Sequence, residues 1–91
     1  MPESIAELAQ VREVVQTLLD ELGLDAYLFE VEPMEEKWEI KIECAVEEGW
    51  ETFRFTARKD YLLRGVDESV IHEMLLDDWR EALSACVLKN R

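Results

Sequence analysis

The chain has 91 residues, a net charge of −12 at pH 7, and hydrophobic side chains at 48% of its positions. We expect one acidic domain over residues 1–91, since the chain exceeds the roughly 70–80 residues below which small domains need staples. The negative charge argues against nucleic acid and membrane surfaces as partners and favours basic ones.

The first predicted element is a helix over residues 5–22. Ser4 and Glu7 have the spacing of a capping box. Gly23 suits the position just after a helix end. Apolar residues recur every three or four positions and form one stripe of Ile5, Leu8, Val11, Val15, Leu18 and Leu22.

Three runs of alternating apolar and polar residues follow, and each predicts a strand with one buried face. Pro33 ends the first run. The predicted inward faces are Tyr27, Phe29 and Val31, then Trp38, Ile40, Ile42, Cys44 and Val46, then Phe53, Phe55 and Ala57.

A two-residue turn at Glu48-Gly49 would join the second and third strands, because glycine supplies the positive φ that such turns need. This register sets apolar residues opposite apolar residues and acids opposite bases. The predicted pairs are Cys44–Phe53, Ile42–Phe55, Ile40–Ala57, Glu43–Arg54 and Glu39–Arg58.

Residues 59–65 are predicted to form a connection that can include one helical turn. Asp67 is placed to cap a second helix, with Val66 and Ile71 as a hydrophobic staple. The apolar stripe of this helix is Ile71, Leu75, Trp79, Ala82 and Cys86. The order α-β-β-β-α predicts an α+β fold: a three-stranded antiparallel meander with two helices packed on one face.

This order of elements resembles that of double-stranded-RNA-binding domains, and the resemblance is one of topology only. Recognition in that family depends on phosphate contacts, with basic residues at the start of the second helix. Here that helix begins with Asp67, Glu68 and Ser69. We therefore do not expect nucleic-acid binding.

Cys44 and Cys86 stand 42 positions apart, in no spacing typical of metal or redox sites. Each falls on the apolar face of its own predicted element, so we expect two reduced thiols in the core. Charged residues within the first 15 positions interrupt any signal peptide, and no apolar run approaches the ~18 residues of a membrane span. These features predict a cytoplasmic protein.

The sequence offers little basis for catalysis. His72 is the only histidine, and it is expected at the edge of the core stripe. Adjacent acids on a strand or helix point apart, and the three glycines stand alone rather than in a phosphate-binding loop. We predict a protein that is not an enzyme, with no catalytic residue, metal or cofactor.

The uncovered face of the sheet is the predicted interaction surface. Trp50 lies on its polar side beside Ala45, and an exposed aromatic among polar residues is typical of an interface anchor. The candidate interface residues are Trp50, Arg54, Arg58, Leu28, Glu39 and Glu43. The predicted function is a non-catalytic protein–protein interaction module, whose partner is another protein or a second copy forming a homodimer.

Two alternatives remain open at this point. Between Glu30 and Glu51 there are nine acids and two bases. This acidic stretch suits a decoy or chaperone-like binder of a basic protein that is itself nucleic-acid-binding or secreted. The other alternative is a small enzyme of unknown class, which would require a ligand pocket.

Overall fold

The computed structural model describes residues 5–65 and 67–89. The elements are α1 (Ile5–Leu22), β1 (Tyr27–Pro33), β2 (Lys37–Val46), β3 (Gly49–Arg58), α2 (Lys59–Arg64) and α3 (Ser69–Ala82). The strands pair antiparallel in the order β1-β2-β3, and the helices pack on the apolar face of this sheet. The predicted α+β meander is confirmed, while the domain boundaries stay a prediction.

The predicted first helix is confirmed with its bounds, and its apolar stripe is wider than the sequence suggested. Val11, Val15 and Leu18 are fully buried, and Val14 and Leu19 join them. Gly23 follows with a φ of 78°, a conformation that glycine adopts without steric cost. The expected Ser4 cap lies outside the described residues.

β2 is the middle strand, and its inward side chains are the centre of the core. Trp38, Ile40, Ile42 and Cys44 are at most 2% exposed, under cover of the helices. The inward side chains of β1 and β3 are only partly buried. The helices therefore cover the apolar face of β3 only in part.

The predicted register between β2 and β3 is wrong by two residues. The turn lies at Glu47-Glu48, with Gly49 as the first residue of β3 at a φ of 127°. The observed pairs include Ile42–Phe53, Ile40–Phe55 and Trp38–Ala57, and Cys44 is opposite Glu51. A slip of two residues keeps every side chain on its face, so matching apolar with apolar could not detect it.

The region after β3 agrees with the expected helical turn and differs from the expectation at the start of the next helix. Residues 59–64 form the short helix α2, which buries Leu62 completely. The N-cap of α3 is Glu68 rather than Asp67, because the amides of Asp67 and Glu68 both donate to the carbonyl of Arg64 at the end of α2. The Val66 staple lies outside the described residues.

α3 ends at Ala82, so Cys86 is not on the helix as predicted. The chain turns after Ala82 and runs back along the end of the sheet, where the Val87 amide donates to the Ala45 carbonyl (2.8 Å). The Asp25 amide donates to the Val87 carbonyl (2.9 Å), and Leu24 and Leu88 form an isolated β-bridge. The segment 86–89 therefore closes the end of the sheet near α1.

Cys44 and Cys86 form a disulfide, and the prediction of two reduced thiols is wrong. The turn after α3 brings their Cα atoms to 5.7 Å, within the range that a disulfide spans. Stable disulfides are typical of oxidising compartments, so this bond counts against the predicted cytoplasmic location. No helix among the described residues has the length and apolar character needed to cross a membrane.

Candidate open-face interaction site

The side of the sheet opposite the helices, here called the open face, carries alternate side chains of all three strands. All six candidate interface residues lie on it: Leu28 from β1, Glu39 and Glu43 from β2, and Trp50, Arg54 and Arg58 from β3. In the described part of the chain, the helices pack against the opposite side. The predicted side of the sheet is therefore correct for each residue, while its role in an interface stays a prediction.

Trp50 and Leu28 are the large apolar side chains of the open face. Their exposed fractions are 57% and 63%. Trp50 is paired with Ala45, whose small side chain leaves the indole uncovered. From strand spacing and residue rise, the two side chains lie about 12 Å apart, close enough for one partner surface to cover both.

The register brings like charges together on the open face. Lys41 is directly opposite Arg54, and Lys37 is directly opposite Arg58. We call these four residues the basic cluster. Like charges directly opposite on neighbouring strands are destabilising, so the cluster lowers the free energy of unfolding of the unbound protein.

Neighbouring acids neutralise only part of the basic cluster. Lys41 Nζ lies 3.6 Å from Glu30 Oε1, and Arg58 Nε lies 3.6 Å from Asp60 Oδ1. Among the described residues, no carboxylate oxygen lies within 4.0 Å of the charged nitrogens of Lys37 or Arg54. The cluster thus retains positive charge within a chain of net charge −12.

The predicted ion pairs with Arg54 and Arg58 do not form, because the register is shifted. Glu43 is opposite Thr52, whose hydroxyl donates to Glu43 Oε2 (3.2 Å). Glu39 lies between Glu32 on β1 and Thr56 on β3. Glu39 therefore lies among the bases, between Lys37 and Lys41 on β2, while Glu43 lies towards the turn and the open-face residues of β3 include no acid.

Within the described residues β3 pairs only with β2, so its other side is a free edge of the sheet. The Ala45 amide donates towards β1, to the Ala26 carbonyl (3.1 Å), so Ala45 and its partner Trp50 form a non-hydrogen-bonded pair. The N–H and C=O of Trp50 consequently point away from β2. The same alternation applies along the strand to Thr52, Arg54, Thr56 and Arg58.

A groove of about 630 Å³ lies beneath this edge, between β3 and the helices. The rings of Phe55 and Trp79 pack at its base with centroids 5.3 Å apart. The lining is Phe55, Thr56, Ala57, Arg58, Asp60, Tyr61, Arg64, Leu75, Asp78, Trp79 and Ala82. Sequence analysis missed this groove, because the alternation of β3 does not tell how far α3 extends beneath it.

Arg64 lines the groove with its charge already paired. Its Nε and Nη2 donate to the two carboxylate oxygens of Glu68 at 3.0 and 3.1 Å. This pairing lowers the pKa of Glu68 and raises that of Arg64. Arg54, and Arg58 with its longer contact to Asp60 (3.6 Å), are then the arginines of this edge whose charge is less fully paired than that of Arg64.

A second cleft, of about 460 Å³, lies between α1 and the start of α3. Its polar lining includes Gln10, Glu13, Thr17, Asp67 and His72. His72 Nε2 lies 3.0 and 3.2 Å from the two carboxylate oxygens of Glu21. This cleft is a pocket of the kind that the small-enzyme hypothesis requires. That His72 has no catalytic role stays a prediction.

Metal ligation has no comparable basis within residues 5–65 and 67–89, where no three His, Cys, Asp or Glu side chains group as ligands would. Comparison of the chain with models of known protein families, with curated protein sequences and with solved structures found no significant match. Its function must therefore be argued from the geometry of these surfaces.

Proposed function

We propose that the protein is a non-catalytic interaction module that binds another protein through the open face around Trp50. The observation that carries the proposal is an exposed indole on the same face of the sheet as a cluster of like-charged cross-strand pairs. Tryptophan and arginine are the residues most enriched at the energetic centres of interfaces. The open face offers both within one small sheet.

The like-charge pairs also indicate the chemistry of the partner. Each such pair destabilises the free protein, by roughly 0.2–1 kcal/mol on the scale of cross-strand interactions. A partner that places carboxylates over Lys41 and Arg54 removes this repulsion and desolvates the resulting ion pairs. We therefore expect a partner surface with an apolar patch that receives Trp50 and, farther along the strand, acidic groups that face Lys41 and Arg54.

The acidic decoy stays a prediction that no specific observation favours. Glu35-Glu36 and Glu47-Glu48 occupy turns at opposite ends of the sheet, separated by the length of β2. That length is about 30 Å for a ten-residue strand. These two acidic pairs are thus far apart, and between them Glu39 and Glu43 alternate with Lys37 and Lys41, whereas a decoy for one basic surface needs an unbroken acidic patch.

Affinity capture from an extract of the source cells tests the proposal. Trp50→Ala should reduce retention of a specific protein at least tenfold, because it removes the apolar anchor. Arg54→Glu should reduce it similarly. It should also raise the free energy of unfolding by about 0.2–1 kcal/mol, since Glu then stands opposite Lys41. Loss of binding with a gain in stability separates a functional effect from a folding defect.

Val70→Ala is the matched control, because Val70 is 70% exposed on α3, away from the open face. It should retain the same protein as the unaltered chain. Equal retention by Trp50→Ala, Arg54→Glu and Val70→Ala would show that the open face is not the binding surface. Capture of the chain itself through the same residues would identify the homodimer.

A further inference from the structure

We infer that the partner contributes an extended segment of alternating acidic and apolar residues, which adds to the free edge of β3 as a fourth strand. This inference rests on the proposed function and names the mode of binding at the β3 side of the same site. It combines three features of β3. These are its outward backbone groups, the bases on the open face (the upper side) and the groove on the helix side (the lower side).

The backbone of β3 is suited to strand addition. Trp50, Thr52, Arg54, Thr56 and Arg58 direct their N–H and C=O groups away from β2, as the hydrogen bond of Ala45 to Ala26 requires. The strand has ten residues and no proline. Proteins protect free edges with short strands, prolines, bulges or charged side chains, and β3 has only the charges, which a segment of opposite charge would neutralise.

The other edge of the sheet is less suited to an added strand. β1 has seven residues and ends at Pro33, which cannot donate a hydrogen bond. At its other end, the Asp25 amide already donates to Val87 of the returning C-terminal segment. β3 is therefore the edge to which a partner segment would add.

Side chains on the upper side of an added strand would lie beside Arg54 and Arg58. Both point to the open face, and behind them stand Lys41 and Lys37 on β2. Carboxylates at alternate positions of the segment would face this basic cluster, and cross-strand pairs of opposite charge are favourable. Charge complementarity thus selects acids for this side of the segment.

Side chains on the lower side would enter the groove between β3 and the helices. The apolar part of its lining is Phe55, Tyr61, Leu75, Trp79 and Ala82, and the charged Arg58, Asp60, Arg64 and Asp78 also border it. Phe55 is only partly buried, although it belongs to the apolar face of the sheet. Apolar residues at the remaining alternate positions would complete the cover of Phe55.

A second copy of β3 is a poorer occupant of this edge. Antiparallel pairing of two β3 strands keeps each residue on its own face, so Arg54 and Arg58 of both copies would share one side. This would place four arginines on two neighbouring strands and add repulsion to pairs that already repel. An acidic segment supplies the opposite charge, and we therefore favour it.

Amide hydrogen exchange by NMR, on the full chain with its disulfide intact, tests this inference. The probe is a blocked nine-residue peptide of alternating glutamate and valine, long enough to pair with residues 50–58, and its control has lysine in place of glutamate. The acidic peptide should slow exchange at the five outward amides of β3 and bind at least tenfold more tightly than the lysine peptide. Protection of those amides is the signature of strand addition, which binding to the open face alone would not produce.

Thr56→Pro removes one outward N–H and should weaken binding of the acidic peptide at least tenfold. Thr56→Val keeps that amide and should bind the peptide as the unaltered chain does. If Thr56→Pro fails to fold, Arg54→Glu replaces it, because it should weaken binding of the acidic peptide at least tenfold without weakening that of the lysine peptide. Equal binding of both peptides, or shifts on the open face without edge protection, overturns strand addition. Trp50-dependent capture of a protein would then still support the proposed function.

Protection of the same amides that rises with protein concentration in the absence of peptide also overturns the inference. That result would identify a second copy as the occupant of the edge.

Discussion

Trp50 differs from the other two tryptophans of the chain in its exposure. Trp38 and Trp79 are 2% and 5% exposed, whereas Trp50 is 57% exposed. Sequence alternation predicted this difference, because Trp38 falls on the apolar side of its strand and Trp50 on the polar side. An indole left in water by a fold that buries two others is the residue to test first.

Tyr27 gives the fold a pH-dependent contact between α1 and β1. Its hydroxyl donates to Asp20 Oδ1 (2.7 Å), and the Gln16 side-chain amide also contacts that hydroxyl. Burial, followed by the hydrogen bond to Asp20 and its negative charge, raises the pKa of Tyr27 to about 12. The neutral phenol is therefore favoured in the folded protein.

The raised pKa predicts a loss of stability at high pH. The pKa of Tyr27 in the unfolded chain is 10. Below this pH the folded and unfolded states both hold the phenolic proton, and Tyr27 makes its full contribution to stability. Between pH 10 and about 12 the unfolded chain loses the proton first, so the free energy of unfolding should fall with rising pH. Urea denaturation from pH 9 to 11.5 measures this slope, and Tyr27→Phe should flatten it. An equal slope in Tyr27→Phe would assign the loss to other groups.

At the level of elements, the periodicities predicted the strands, the first helix and the face that each presents. The alternation of apolar residues is a local property, and one buried face explains it. The register between β2 and β3 was not predictable in the same way, because registers two residues apart bury the same side chains. The position of the turn, Glu47-Glu48, decides between the two registers. Nothing in the sequence of Glu47 and Glu48 favours this turn over Glu48-Gly49.

The region after β3 was the least predictable. The short helix α2 has one fully buried side chain, Leu62, and shows no repeated stripe. Cys86 continues the spacing of Ile71, Leu75, Trp79 and Ala82, so the sequence suggested one long helix. The chain instead turns after Ala82, and tertiary contacts with Ala45 and Asp25 fix the segment that follows. The groove under β3 depends on this placement and could not be foreseen.

The disulfide should contribute strongly to the stability of this returning segment. It joins residues 42 positions apart, and the chain-entropy estimate for such a loop is about 4 kcal/mol. The double variant Cys44→Ala, Cys86→Ala should lower the free energy of unfolding by roughly that amount in urea denaturation. Ser84→Ala, in the exposed turn beside Cys86, is the control and should change it little. An unchanged midpoint in the double variant would contradict this role of the bond.

Over the whole molecule, charge and coverage are distributed unevenly. The net charge is −12, yet the β3 side of the open face carries the basic cluster. The helices cover β2 fully and β3 only in part, which leaves an apolar groove beside the same bases. A free edge, a groove and like-charged pairs therefore meet on one strand, and this convergence is the basis for proposing an interaction module.

Radical footprinting of Trp50 tests the central claim most directly. The tagged chain would be labelled after purification and again in an extract of its source cells, with Val70 on α3, which is 70% exposed, as the internal control. We predict that labelling of Trp50 falls several-fold in the extract while labelling of Val70 stays constant, because a bound protein covers the open face. Equal labelling of Trp50 in both samples would contradict the claim that this face binds a partner.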